Sequence, residues 1–223
     1  MFGNAPVEGT HATAVGLGSR FGVGVARGAA APGDDRTEAV DALCAHRGVV
    51  VALGPCTNVA AALARGARWE RLVVLGGTDR WLPNLRPLHT TELNFALDLA
   101  AAAAVLQSGV PLQLVPMEPC RQVWAGEAEL ARLPGWLRDG CRPWLGTARL
   151  RHPLGAGRFH PWDVLAAVAA LGGEPSPFTW ARRGVVLDRR VGRRGHVRYG
   201  LGGVEVVGEV EPGAVIEAWL ARS

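Results

Sequence analysis

Five consecutive apolar residues, 49–53 (Val-Val-Val-Ala-Leu), stand between Gly48 and the pair Gly54-Pro55. An apolar run this short, with breakers at both ends, reads as a buried parallel strand. After it, Thr57 or Asn58 can cap a helix through Val59, Ala62 and Leu63 that Gly66 stops. A second run, 72–75, ends at Gly76-Gly77, and a third, 112–115, follows an alanine-rich helix over 97–107 and a Ser108-Gly109 stop. Strands alternating with helices at this spacing predict right-handed βαβ crossovers and a parallel sheet covered on both faces. Before this block the pattern predicts a helix over 8–20 and a short strand over 23–26. Beyond it come helices over 127–133 and 136–144, punctuated by Pro134 and Pro143, and a strongly apolar helix over 163–171. The tail changes to short strands at 185–188, 197–199 and 204–207, closed by a helix over 211–221. With no repeat of fixed period, the economical expectation is one α/β domain over residues 1–223, a mostly parallel, doubly wound sheet flanked by helices.

Composition narrows the class. A chain of 223 residues, 48% hydrophobic, buries a sizeable core and is not disordered. Its four cysteines are scattered with no Cys-x-x-Cys pair, which fits neither a disulfide framework nor a close-spaced zinc site, so a reducing, cytoplasmic setting is expected. No charged segment precedes an apolar leader, and the longest apolar tract is broken by Asp98, Gln107, Ser108, Gly109 and Pro111, so neither a signal peptide nor a membrane span is expected. The net charge of +4 comes without a single lysine, and isoleucine occurs only at Ile216. That pattern reflects GC-rich codons rather than a polyanionic partner. The arginines at 182, 183, 189, 190, 193, 194 and 198 cluster, yet only Tyr199 offers a base-stacking ring among them, so a solvated hairpin is expected and nucleic acid is not.

In a doubly wound sheet, ligands bind outside the carboxyl ends of the strands. Three turns fall there: 54–58 (Gly-Pro-Cys-Thr-Asn), 76–79 (Gly-Gly-Thr-Asp) and the loop ending in Glu92-Leu93-Asn94. The first two also suit plain turn chemistry. A carboxylate and an amide two residues apart can face a cleft and hold the vicinal hydroxyls of a sugar, or can simply form a polar cap on the helix that follows.

In this order the turns resemble the inosine-uridine-preferring nucleoside hydrolase family. Phe2-Gly3-Asn4 looks like its asparagine-bearing turn, and residues 51–58 resemble its strand ending in Gly-Pro-Leu-Thr-Asn. Residues 73–77 resemble its Met-Gly-Gly strand end, residues 91–98 its Glu-Phe-Asn segment, and Trp162-Asp163 its His-Asp or Trp-Asp segment. The resemblance implies a nucleoside N-ribohydrolase that cleaves the N-glycosidic bond of a small-molecule nucleoside, with the purine side suggested by tryptophan. It implies Ca²⁺ held by Asp163 and the backbone carbonyl of Leu53, ribose bound by Asn4, Asn84, Glu92 and Asn94, and the leaving base stacked on Trp162. His160 is a second candidate acid, and a core tryptophan remains the plain alternative for Trp162.

The family's Asp-x-Asp-x-Gly-x-Asp-Asp signature, which supplies the base and most calcium carboxylates, has no counterpart; by resemblance it belongs to a first βα unit preceding Phe2, which is expected to be missing. Asp34-Asp35 lies in a Pro-Gly loop with no apolar strand directly before it and is no substitute. One carboxylate and one carbonyl fall short of the six to eight oxygens calcium takes. The alternative function is therefore a degenerate, non-catalytic homologue that binds a nucleoside or a protein. Self-association into a homo-oligomer is left open.

Overall fold

The computed structural model describes residues 5–79, 91–151, 158–188, 190 and 194–223, with the backbone alone for 146–151. In chain order the elements are α1 (Val7–Phe21), α2 (Glu38–Ala45), β1 (Val49–Ala52), α3 (Thr57–Ala64), β2 (Arg71–Leu75), α4 (Leu93–Leu97), α5 (Leu99–Leu106) and β3 (Leu112–Val115). They continue with α6 (Met117–Cys120), α7 (Glu127–Ala131), α8 (Gly135–Arg151), α9 (Trp162–Leu171), β4 (Phe178–Leu187), β5 (Val197–Val210) and α10 (Pro212–Leu220). The sheet runs β1-β2-β3-β5-β4, parallel from β1 through β5, with β4 antiparallel at the far edge.

Period-two alternation sorts the strand side chains between two cores. Val50, Ala52, Leu72, Val74, Leu112 and Leu114 face Val40 of α2, Val59 and Ala62 of α3, and Ala102 and Val105 of α5. Val73, Leu75 and Val115 face the opposite layer, built from α6 to α10 with Leu130, Leu145, Leu165 and Val215 at its centre. Each large aliphatic side chain buried in this way contributes roughly 1.5–3 kcal/mol. This is the doubly wound, mostly parallel arrangement that the short apolar runs imply.

The direction of α9 decides which of its ends lies near the strand termini. Arg71, which opens β2, donates from Nη2 to the carbonyl of Ala170 near the end of α9 at 2.7 Å. The helix therefore runs back along the strands, and its first residues, Trp162 and Asp163, lie at the carboxyl end of the sheet.

Several local expectations are corrected. Residues 23–26 form no strand: the segment is irregular, with Val23 and Val25 exposed and no sheet neighbour among the described residues. Neither Thr57 nor Asn58 caps α3, because Cys56 stands at the N-cap without a side-chain bond and both residues already belong to the helix. Pro143 lies inside α8 rather than ending it, held there by the burial of Cys141 and Leu145 on either side. The helix expected over 97–107 forms as α5 from Leu99, with Asp98 as its N-cap accepting from the Ala101 N–H, while Leu97 ends the separate short α4. The short strands at 197–199 and 204–207 join into one long β5, with residues 201–203 bulging out opposite the Arg183-Gly184 step. Asn4 and Asn84 lie outside the described residues.

Candidate functional site

The turn after β2 is tied to every neighbouring element. Gly76 N–H donates to Val115 O at 3.1 Å, Gly77 O accepts from Met117 N–H at 3.0 Å, and Thr78 O accepts from Val197 N–H at 2.9 Å. Glycine is required here. Gly77 has φ +79°, and a Cβ on Gly76 would stand 2.6 Å from the ring of Phe95.

Glu92 closes this turn from the other side. Its Oε2 accepts from Gly77 N–H at 3.0 Å and Phe95 N–H at 2.9 Å, and its Oε1 accepts from Asn94 N–H at 2.8 Å. It is therefore both the N-cap of α4 and a brace for the glycine turn. Burial pushes its carboxyl above the ordinary glutamate value, against the pull of those three amides, and the nearby Glu118 charge adds to the rise. Asn94 donates from Nδ2 to Leu75 O at 3.0 Å. Its half-buried amide has no further hydrogen bond to the described residues.

The turn after β1 is spent on structure. Thr57 donates its hydroxyl to Asp98 Oδ2 at 2.6 Å, and Asn58 Oδ1 accepts from Ala29 N–H at 2.9 Å and the Thr37 hydroxyl at 3.3 Å. Leu53, one residue beyond the end of β1, is 42% exposed.

At the start of α9 the two candidate residues differ. Asp163 is exposed and makes no hydrogen bond to the described residues, and the protein packed around it raises its carboxyl above the usual aspartate range. Trp162 is half-buried against the α9-side core, with its Nε1–H buried and unpartnered among the described residues. Its ring centroid lies 6.4 Å from that of His160. Although the His-Pro-Trp loop suggests a solvent-directed ring, His160 is half-buried and its Nδ1 meets Val123 O at 2.7 Å. Burial holds its pKa below the ordinary histidine value, so the ring is neutral near pH 7.

Cys120, on α6, is fully buried. Burial pushes its thiol up, and the charges of Glu118, Asp163 and Glu92 push it further. Sequence reading overlooked Glu118, although it lies just past the end of β3, where the rule applied to the other strand ends would have found it. Its Oε1 accepts from Asp79 N–H at 3.0 Å and from the Thr78 hydroxyl. Metal chemistry is less well provided for. Among the described residues no three His, Cys, Asp or Glu side chains are grouped to hold an ion, and Asp163 with the Leu53 carbonyl would give calcium two of the six to eight oxygens it takes.

The cluster arginines that are described lie on the surface of the hairpin, with Arg190 paired to Asp188 and Arg183 over the Tyr199 ring. All four cysteines are free. No helix among the described residues is long and apolar enough to cross a membrane.

A parallel sheet with helices on both faces and a polar cluster at its carboxyl end defines a doubly wound α/β protein, a class in which ligands bind at the strand ends. Residues 1–217 match the inosine-uridine preferring nucleoside hydrolase family, and the chain belongs to it. Among curated proteins it is 32% identical over 98 residues to the non-specific ribonucleoside hydrolase RihC of Salmonella agona, covering 41% of this chain and 30% of that protein. It is also 30% identical over 88 residues to an uncharacterized protein of Schizosaccharomyces pombe, covering 38% of this chain and 28% of that one. The matched stretches thus span less than a third of these curated relatives. Among solved structures, the plant nucleoside hydrolase PpNRh1 superposes with a TM-score of 0.85 at 20% identity, covering all of this chain and 88% of that one. At that identity the likeness speaks for the fold.

Proposed function

We propose that this chain acts on nucleosides as an N-ribohydrolase, binding them at the carboxyl end of the sheet. The observation that carries the reading is the placement of Asn94, Glu92 and Asp163 at that end in a chain whose family is defined by nucleoside hydrolysis. In the reaction the bond from C1′ to the base nitrogen breaks, water oxygen bonds to C1′, and the base leaves with a proton, giving ribose and free base. The sugar passes through an oxocarbenium-like state, so the protein must hold the hydroxyls and ease the departure of the base.

Asn94 is the ribose-facing group: its Nδ2 is anchored on Leu75 O, which sets the direction of its oxygen. Glu92 acts mainly through that residue, since its carboxylate grips the Asn94 and Gly77 amides. Asp163, exposed and without hydrogen bonds to the described residues, is the carboxylate available to ligand, water or ion. Trp162 offers its ring to a purine, and the same half-buried packing also suits a core residue. Neutral His160, bonded at Nδ1 to a carbonyl, is a poor acid near pH 7. Asn4 and Asn84 complete the ribose set in this reading. Asp163 and the Leu53 carbonyl alone do not fill the shell of six to eight oxygens that calcium takes. The assignment to a single domain over 1–223, a cytoplasmic setting and any self-association belong to the same reading.

The test is product analysis. Incubation with inosine, guanosine and uridine should release base and reducing sugar in equal amounts, without phosphate, and Asp163→Ala should abolish the release. Release only in the presence of phosphate, or none with no binding, overturns the reading. Binding without release would select the non-catalytic alternative.

A further inference from the structure

We propose that Arg158, held flat against the Trp124 ring, is the specificity-determining residue of the nucleoside site: its guanidinium receives the O6 and N7 edge of a 6-oxopurine base, and Trp124 is its positioning residue. The proposal rests on the nucleoside reading above and narrows it to substrates of the inosine and guanosine type. Its basis is a short two-stranded ribbon that leads into α9. Ala125 and Phe159 form an antiparallel bridge and exchange both backbone bonds, Ala125 N–H to Phe159 O at 2.7 Å and Phe159 N–H to Ala125 O at 2.9 Å. Side chains alternate faces along such a pair. Val123, Ala125 and Phe159 turn to the α9-side core, so Trp124, Arg158 and His160 share the other face, with Trp124 opposite His160 in the register. A tight turn at Pro161, closed by Trp162 N–H to His160 O at 2.9 Å, brings the Trp162 ring to 6.4 Å from the His160 ring. Asp163 follows directly, at the carboxyl end of the sheet.

Arg158 is the group on this face equipped to read a base. Its Cζ lies 4.3 Å from the centroid of the Trp124 ring, which is 39% exposed. The guanidinium makes no hydrogen bond or ion pair to the described residues, so its donors are unspent while the ring contact fixes their plane. A planar fork of N–H donors matches two acceptors set side by side. Hypoxanthine and guanine carry such a pair in O6 and N7, whereas adenine sets an amino donor beside N7, and uracil has no N7. The same contact meets a need of the reaction. When the bond from C1′ to N9 breaks, its electron pair passes to the base, and the proton that finally neutralises the base comes from the water whose oxygen joins C1′. Neutral His160, its Nδ1 spent on Val123 O, is a poor proton source, so donors at O6 and N7 relieve the charge on the departing ring.

Calorimetric titration of inosine, adenosine, uridine and inorganic phosphate into the whole protein tests the assignment. Arg158→Ala, Arg158→Lys, Trp124→Ala and Trp124→Phe are compared, with thermal unfolding followed in parallel. The unmodified protein should bind inosine about tenfold more tightly than adenosine or uridine, the scale of one bidentate arginine contact. Arg158→Ala should weaken inosine binding about tenfold and adenosine binding less than about twofold, so that the preference disappears while the unfolding midpoint holds. Arg158→Lys keeps the charge without the fork and should not restore the preference. Trp124→Ala should reduce it about threefold, and Trp124→Phe, which keeps a ring beneath the guanidinium, should restore it. Equal affinities for inosine and adenosine in the unmodified protein, or a preference that survives Arg158→Ala, overturn the proposal. A preference that survives Trp124→Ala overturns the positioning role, and should that variant fail to fold, Trp124→Phe and the arginine variants decide. Phosphate uptake that vanishes in Arg158→Ala while inosine binding is unchanged assigns the arginine to an anion and overturns the proposal as well. Binding of none of the three nucleosides is a separate result: it overturns the nucleoside reading itself, and this role with it.

Discussion

Replacing Glu92 by alanine removes the acceptor of three backbone amides at once, those of Gly77, Asn94 and Phe95, at 2.8–3.0 Å. The residue is 3% exposed, so water does not readily take its place. A hydrogen bond to a charged acceptor contributes about 1.5–3 kcal/mol, and a buried donor left unpaired costs about 1–3 kcal/mol. Against this, the variant no longer buries a carboxylate, and that relief offsets a substantial part of the loss. The net expectation is a destabilisation of about 2–4 kcal/mol. For a chain of this size that lowers the midpoint of thermal unfolding by roughly 5–15 °C.

The sign of the pH dependence adds a second readout. Because burial raises the Glu92 carboxyl in the folded state, the folded protein holds its proton over a window where the unfolded chain has lost it. The contribution is fully present below the unfolded value and is lost as pH rises through the folded one. Calorimetric scans from pH 4 to 8 should therefore show this component in the unmodified protein and a flatter profile in Glu92→Ala. An unchanged midpoint near neutral pH would refute the reasoning, since it would mean that the three amides find other partners.

Asp98→Ala removes both the cap on Ala101 and the acceptor of the buried Thr57 hydroxyl, and should lower stability by about 2–3 kcal/mol in urea titrations. Gly76→Ala forces a Cβ to 2.6 Å from the Phe95 ring at φ +158° and should cost about 2–3 kcal/mol, read from the same titrations. Trp162→Phe removes an indole N–H that is buried without a partner among the described residues, so stability should change by less than about 1.5 kcal/mol. A selective loss of purine over pyrimidine nucleoside binding in that variant would mark the ring as the base platform, and equal affinities would leave it a packing residue.

The central strands were legible because a buried parallel strand leaves a short apolar run between breakers, and 49–53, 72–75 and 112–115 each carry one. The segment 23–26 shows the limit of that signal. Its valines have strand propensity, but a strand also needs a partner, and none of the described strands pairs with it. Pro143 was misleading for the opposite reason, since burial of Cys141 and Leu145 outweighs the local cost of proline in a helix. At the site, Glu92 and Asn94 stood out by type and spacing, yet spacing alone left ribose contact and helix cap equally open. The hydrogen bonds show the cap, and they give Glu92 a second, longer-range task on Gly77. Glu118 follows the end of β3 and so lay within reach of the strand-end rule, but its partners Thr78 and Asp79, about forty residues away in the chain, meet it through β2–β3 pairing, which the sequence does not display.

Calorimetric titration of inosine into the folded protein, repeated with Asn94→Ala and Asp163→Ala, decides whether nucleosides bind at the carboxyl end of the sheet. Saturable one-to-one binding is expected for the unmodified chain, with a loss of about tenfold or more in each variant, the scale of a hydrogen bond to a polar or charged group. The unfolding midpoint of Asp163→Ala should not fall, because that carboxylate makes no hydrogen bond to the described residues. Equal affinities in all three proteins, or a folded chain that takes up no nucleoside, would contradict binding at that end.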